Sequence, residues 1–352
     1  MDALAILNLF GNILCVLVII GIVVQFIGYA LIRYLKRYRW AAWYYSALLV
    51  VLPWSEAMYI NRAWVRLCLK EFDKAIADCD QAIYINPEAA MAYNNRSAAF
   101  LGLTRYPEAL RDAHQAVHLK SDLASAYYNR AYALFGLRNY AAALKDYDQA
   151  IARHPQLAVQ YFNRGICHMR LKHYSEAIAD YNKTIELKPT TSSAYHNRGH
   201  AHMILGNYTQ GLADFQKSCA LEPQELIHPL ALQWCQLCLQ PQLTDEIRAR
   251  FTSLAALVDR NGLHHMYQGM DLWFNGAYMD ALNQFELDIT FSRPFSGDSY
   301  FWCGMALAAL GRYDEAQGAI DHALQRGLSR FFLKTLALLP SEHTTFAARY
   351  LS

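Results

Sequence analysis

The sequence predicts an all-α chain, a stack of helical hairpins behind an N-terminal transmembrane helix. Three observations predict it. A Tyr-x-Asn-Arg-small motif recurs five times, 34 residues apart, starting at Tyr59, Tyr93, Tyr127, Tyr161 and Tyr195. Residues 3–32 form a run of 30 without a charge. No strand pattern is present to carry a Rossmann unit.

The run from Ala3 to Ile32 is long enough for roughly 45 Å of helix, against a hydrocarbon core of about 30 Å. Asn8, Asn12 and Gln25 are its only strongly polar interruptions, so it has no polar face for a water-exposed helix. A cleaved signal peptide fits poorly, because the basic n-region and a small-x-small site are missing and the apolar run is too long. Residues 1–39 are therefore a transmembrane anchor with a basic flank of Arg33, Lys36, Arg37 and Arg39, which favours the cytoplasmic side. Residues 40–55 hold a second apolar run rich in Trp and Tyr. Its 15 or so apolar residues reach roughly 22 Å, short for a span. It is read as an interfacial segment or cap of the next domain, or else as a second membrane segment. The first reading, favoured by the short length and by free cysteines, leaves the rest of the chain cytoplasmic and the anchor single-pass.

The chain of 352 residues is 54% apolar and 18% charged, and its net charge of +2 gives no strong field for nucleic acid. Eight cysteines without framework spacing read as unpaired buried thiols in a reducing compartment.

Counting from Glu56, position 8 of each 34-residue unit is Ala63, Ser97, Ala131, Gly165 and Gly199. Position 20 is Ala75, Ala109, Ala143, Ala177 and Gly211, and position 27 is Ala82, Ala116, Ala150, Thr184 and Ser218. Small residues there let two helices approach closely. An aromatic at position 17 (Phe72, Tyr106, Tyr140, Tyr174, Tyr208) plugs the gap between neighbouring hairpins. Position 32 is Pro87, Ser121, Pro155, Pro189 and Pro223, and proline ends the second helix because it lacks a donor and clashes with the preceding turn. A single hairpin cannot bury its apolar face, so units stack.

These positions resemble the tetratricopeptide repeat family, clearly over residues 56–223. The resemblance implies a right-handed superhelical solenoid whose first helices line a concave groove. It weakens over 224–261, read as a degenerate helical repeat. It returns over 262–327 as two further units, with Gly269, Tyr278 and Ala281, then Gly304, Tyr313 and Ala316, at the family offsets. About seven to eight hairpins result, and residues 328–352 supply a C-terminal capping helix.

Arg62, Arg96, Arg130, Arg164 and Arg198 at position 7 recur together with Asp78, Asp112, Asp146, Asp180 and Asp214 at position 23. The Arg and the Asp are lost together in the last two units, where Gln268, Cys303, Gln284 and Ala319 stand instead. Such co-occurrence predicts structural ion pairs between first and second helices.

Asn61, Asn95, Asn129, Asn163 and Asn197 at position 6 have two readings. In glycosyltransferases with such arrays an asparagine ladder holds an extended peptide backbone, which makes these amides candidate partner contacts. Alternatively they bridge locally within the scaffold. Trp64, Tyr128, Tyr132, Phe162, His196 and His200 complete the predicted groove, an apolar and aromatic lining with little charge. The Lys and Asn of the family's clamp for acidic chaperone tails are missing, so a protein or peptide partner with apolar side chains is expected.

His196 and His200 have metal-ligand spacing but no Glu between them and no evident third ligand. Cys235 and Cys238 form a lone CxxC without a second pair or a βαβ setting. With no phosphate loop or serine elbow either, no metal, cofactor or catalytic residue is expected. The expected function is a membrane-tethered scaffold binding its partner in the groove and the bilayer through residues 3–32. The alternative is an assembly subunit that docks on a membrane enzyme or transporter through its outer face or terminal units.

Overall fold

A computed structural model describes residues 38–223, 264–291 and 297–326, together with Leu232, Cys235, Gln236 and most of 333–351. The expected transmembrane helix over 3–32 and most of the expected degenerate repeat over 224–261 lie outside the described residues. Among the described residues there is no strand, and no helix is long and apolar enough to cross a membrane.

The chain divides into two compact units, Met1–Cys167 and His168–Ser352. The first holds α1 (Tyr38–Val51), α2 (Glu56–Cys68), α3 (Phe72–Ile85), α4 (Ala90–Gly102), α5 (Tyr106–Leu119), α6 (Ala124–Gly136), α7 (Tyr140–Arg153) and most of α8 (Ala158–Arg170). The second holds α9 (Tyr174–Leu187), α10 (Ser192–Ile204), α11 (Tyr208–Leu221), α12 (His264–Phe274), α13 (Tyr278–Phe291), α14 (Gly297–Ala309), α15 (Tyr313–Gln325) and α16 (Thr344–Leu351).

In the first unit each helix from α1 to α6 packs on the next, and the first helices α2, α4 and α6 also touch in turn. The small positions are the reason. Ala63, Ala75, Ala82, Ala109, Ala116, Ala131, Ala143 and Ala150 are fully buried, as is Ser97, whose hydroxyl donates to the Ala109 carbonyl across its hairpin. The position-17 rings seal neighbouring hairpins. A Cβ on Gly102 would fall 2.4 Å from the Phe72 ring, and one on Gly136 2.4 Å from Tyr106, so glycine alone admits the ring at that height.

Each hairpin turns through one left-handed residue at position 15, where Lys70, Thr104, Arg138 and Lys172 have φ of 58–63° and Gly206 has 82°. The next amide reaches back five residues, as in Arg105 to the Phe100 carbonyl at 2.9 Å and Asn139 to Leu134 at 2.9 Å, which closes a Schellman cap. A β-branched side chain is the poorest choice for this conformation. Thr104→Gly should therefore stabilise the first unit by about 1 kcal/mol. A rise in the urea midpoint checks this, and an unchanged midpoint counts against it.

Residues 40–55 carry two readings from the sequence, an interfacial or capping segment and a second membrane segment. They belong largely to α1, whose 14 residues span only about 21 Å. Its Ala41, Tyr45 and Leu49 bury against Met58 and Val65 of α2. α1 lies one period before α3, so Tyr38, Ala41 and Pro53 precede Phe72, Ala75 and Pro87 by 34 residues. It stands where the second helix of a preceding hairpin would stand.

In the second unit, Phe285, Phe301, Trp302, Met305 and Ile320 form one core with Leu336, Phe346 and Ala347. Tyr313 stacks on Phe346 at 5.3 Å and its hydroxyl meets His343 Nδ1 at 2.7 Å, so α16 packs against the last hairpin.

Candidate partner-binding face

The recurring Tyr, Asn and Arg hold the first helices in place. Arg62, Arg96 and Arg130 each fork onto the buried carboxylate of Asp78, Asp112 and Asp146 in the same hairpin, with N–O distances of 2.6–3.1 Å. Arg198 forks onto Asp214 likewise, with Nε at 2.8 Å. Arg164 and Asp180 belong to different units.

A second bond, which the sequence reading did not anticipate, ties four of the five arginines to the preceding second helix. Arg96 Nη1 donates to Asp80 at 2.6 Å, Arg164 to Asp148 at 2.7 Å and Arg198 to Asn182 at 2.6 Å. Arg62 donates to Ser46 on α1 at 3.1 Å, again 16 residues back, so α1 takes part in the same ladder. The guanidinium carbon of each lies 5.4–5.6 Å from the ring centre of the tyrosine three residues earlier, Tyr59, Tyr93, Tyr127, Tyr161 or Tyr195. That contact explains the tyrosine of the motif. The bond to Asp112 above all pushes the Arg96 pKa up, and Asp146 and Asp214 do the same for Arg130 and Arg198.

The asparagines bridge first helices. Asn95 Nδ2 donates to the Ile60 carbonyl at 3.3 Å, Asn129 Nδ2 to the Asn94 carbonyl and Oδ1 at 3.1 and 3.0 Å, and Asn163 Nδ2 to the Tyr128 hydroxyl at 2.9 Å. Asn95 and Asn129 are only 2% and 7% exposed, so these two amides of the expected ladder are not presented to a ligand. Each sits one position beyond the groove-facing residue and points at the neighbouring hairpin instead. Asn61, Asn163 and Asn197 are half-buried.

What remains on the first-helix face of the N-terminal unit is uncharged and mostly apolar. Positions 2, 5, 9 and 12 of α2, α4 and α6 carry Ala57, Ile60, Trp64, Leu67, Met91, Asn94, Ala98, Leu101, Ser125, Tyr128, Tyr132 and Phe135, without a charge. Tyr128 and Tyr132 stack at 6.3 Å, Tyr132 meets Phe135 at 6.3 Å, and Phe135 meets Tyr140 at 5.5 Å. Burial pushes the Tyr128 hydroxyl up to about 12, so it stays protonated. Phe162 and Ile166 of α8 are half-buried, and Trp64 is exposed, with Tyr38 of α1 edge-on to its ring at 6.2 Å.

In the second unit His196 and His200 face each other, Nε2 to Nε2 at 3.1 Å, with both rings against Phe215 at 5.6 and 5.2 Å. His196 is buried, which removes it from the expected lining, because the small Gly199 lets the Phe215 ring press into this helix. Among the described residues no group of three His, Cys, Asp or Glu side chains is placed to hold a metal. Cys235 is buried with its Sγ 3.2 Å from the Tyr208 carbonyl, and Cys238 lies outside the described residues. Burial pushes the Cys303 thiol up to about 12.

Sequence profiles described as tetratricopeptide repeat match residues 57–88, 124–157, 158–191, 192–225 and 268–327. The hairpin α4–α5 falls between matches, yet its helix bounds keep the same 34-residue register. Among solved structures, PilF of Pseudomonas aeruginosa is similar over 58% of this chain and 90% of its own, with 16% identity and a TM-score of 0.51. That likeness shows the fold. A tetratricopeptide repeat protein of Parabacteroides merdae covers 84% of this chain and 99% of its own, at 15% identity and a TM-score of 0.46. YrrB, described as a TPR protein with an unusual peptide-binding site, covers 53% and 96%, at 20% identity and 0.46. No curated protein matches the chain.

Proposed function

Since the chain belongs to the tetratricopeptide repeat family, we propose that it is a membrane-tethered, non-catalytic scaffold. It holds an apolar segment of a partner protein along the first-helix face of its N-terminal unit. The observation that carries this reading is the uncharged lining from Ile60 to Ile166, with the stacked Tyr128 and Tyr132 at its centre. Half-exposed rings on a rigid helix lose little entropy on binding and give large contact area, the chemistry of interface hot spots. Asn61 and Asn163 are the candidate polar contacts on that face. The tether rests on the uncharged run of residues 3–32 and its basic flank, which puts the array on the cytoplasmic side and raises the partner's concentration at the membrane.

Peptides selected from a random display library on the detergent-solubilised full chain should be rich in apolar and poor in acidic residues. Tyr132→Glu should weaken their capture about tenfold, about 1.4 kcal/mol, with helicity unchanged. Gln149→Glu, on the exposed side of α7, should leave capture unaltered. An acidic consensus, or capture indifferent to Tyr132→Glu, sinks the reading.

A further inference from the structure

α1 carries apolar residues on both of its sides. One side is welded to α2 through Ala41, Tyr45 and Leu49. The opposite side presents Trp40, Trp43, Ala47 and Val50, with Trp40 59%, Trp43 66% and Val50 82% exposed, and Trp54 follows at 68%. The register of the array makes a direct comparison possible. The same four positions hold Lys74, Ala77, Gln81 and Tyr84 on α3 and Glu108, Arg111, Gln115 and His118 on α5. On α7 they hold Ala142, Lys145, Gln149 and Ala152. Wherever this face meets water in the complete hairpins it is mainly polar, and only on α1 is it tryptophan and aliphatic.

A missing first helix does not explain the difference. On α3 all four positions remain exposed, although α3 has its first helix in place. A second copy of the chain fits poorly, because a two-fold contact would set the Arg33–Arg39 basic cluster against itself. The local charge points elsewhere. Between Asp2 and Glu56 there is no acidic residue, while Arg33, Lys36 and Arg37 lie between the uncharged run and α1, and Arg39 lies in the first turn of α1. Tryptophan beside clustered Arg and Lys is the composition of a helix lying in an anionic membrane interface.

We propose that the outward face of α1 lies in the headgroup region of an anionic bilayer, parallel to its plane, seating the first hairpin of the array on the membrane. The inference rests on the tether reading above and deepens it. A crossing orientation is opposed by what α1 packs on. Its other face is fixed to α2, which carries Glu56, Arg62 and Arg66.

The test uses the full chain in vesicles of phosphatidylcholine and phosphatidylglycerol, with bromine carried either shallow or deep in the acyl chains. Tryptophan fluorescence should be quenched strongly by shallow bromine and weakly by deep bromine. The Trp40→Phe/Trp43→Phe/Trp54→Phe variant, altered only at exposed positions, should keep its helicity and flotation and lose that quenching. Flotation without quenching would show that the face is covered by protein and overturn the proposal. So would stronger quenching by deep bromine, or quenching that survives in the variant and so arises from Trp64, Trp234, Trp273 or Trp302. A wild-type chain that fails to float with the vesicles sinks the tether itself, a separate result.

Discussion

Asp112→Ala should destabilise the first unit by about 3 kcal/mol, the largest effect expected of any single substitution in the ladder. The Asp112 carboxylate is buried and takes the Arg96 guanidinium through Nε at 2.6 Å and Nη2 at 2.8 Å. Without it a largely buried cation keeps only Asp80, whose side chain is half exposed and screened. Asp80→Ala should therefore cost less than about 1 kcal/mol, although its bond to Arg96 is as short. Replacing both partners with apolar residues, as in Arg96→Met/Asp112→Leu, should recover most of the loss, because no charge is then left unpaired in the interior. Equilibrium urea unfolding of the three variants distinguishes the cases. Equal losses for Asp80→Ala and Asp112→Ala would show that the buried fork has no special role. Since each hairpin is stabilised by its neighbours, the loss should spread to the adjacent hairpins in hydrogen exchange.

Acid should loosen the second unit before it reaches the first. Burial holds the His200 pKa down to about 4, and burial also lowers that of His202. The unfolded chain takes up its histidine protons near pH 6.5. Between pH 6.5 and about 4 the unfolded state thus binds more protons than the folded one, and stability falls as pH falls. His200 alone accounts for a loss on the order of 3 kcal/mol across that window. His200→Gln should flatten most of the slope and leave the small part due to His202. Thermal midpoints between pH 4 and 7 that decline equally in the wild type and in His200→Gln would refute the assignment.

Much of the repeat geometry was legible in the residues. Small residues at three fixed places, an aromatic at a fourth and proline at most copies of a fifth specify where helices touch and stop, and the helix bounds recur at 34 residues accordingly. The Arg–Asp forks could be read because the two residue types appear and vanish together. α1 was harder to see. Tyr38, Ala41 and Pro53 carry the repeat signal in register, but Trp40, Trp43, Val50 and Val51 raise the same segment to the hydropathy of a membrane element. Composition alone cannot separate a helix buried on one side and apolar on the other from one that spans.

The candidate site divides in the same way. Asn129 and Tyr132 are three residues apart on one helix, yet the amide turns to the neighbouring hairpin and the ring to the open face. A helical spacing assigns both to the same side within its angular width, and only the position of the preceding first helix separates them.

The sequence by itself determined the hairpins, their register and the forks from Arg62, Arg96, Arg130 and Arg198, because those contacts join residues at constant separation along the chain. The tertiary structure alone decided which amides are consumed between hairpins, which tyrosines brace the arginines and which face of α1 stays open. Those outcomes depend on what packs against each helix from outside it, a neighbour that periodicity can require but cannot orient.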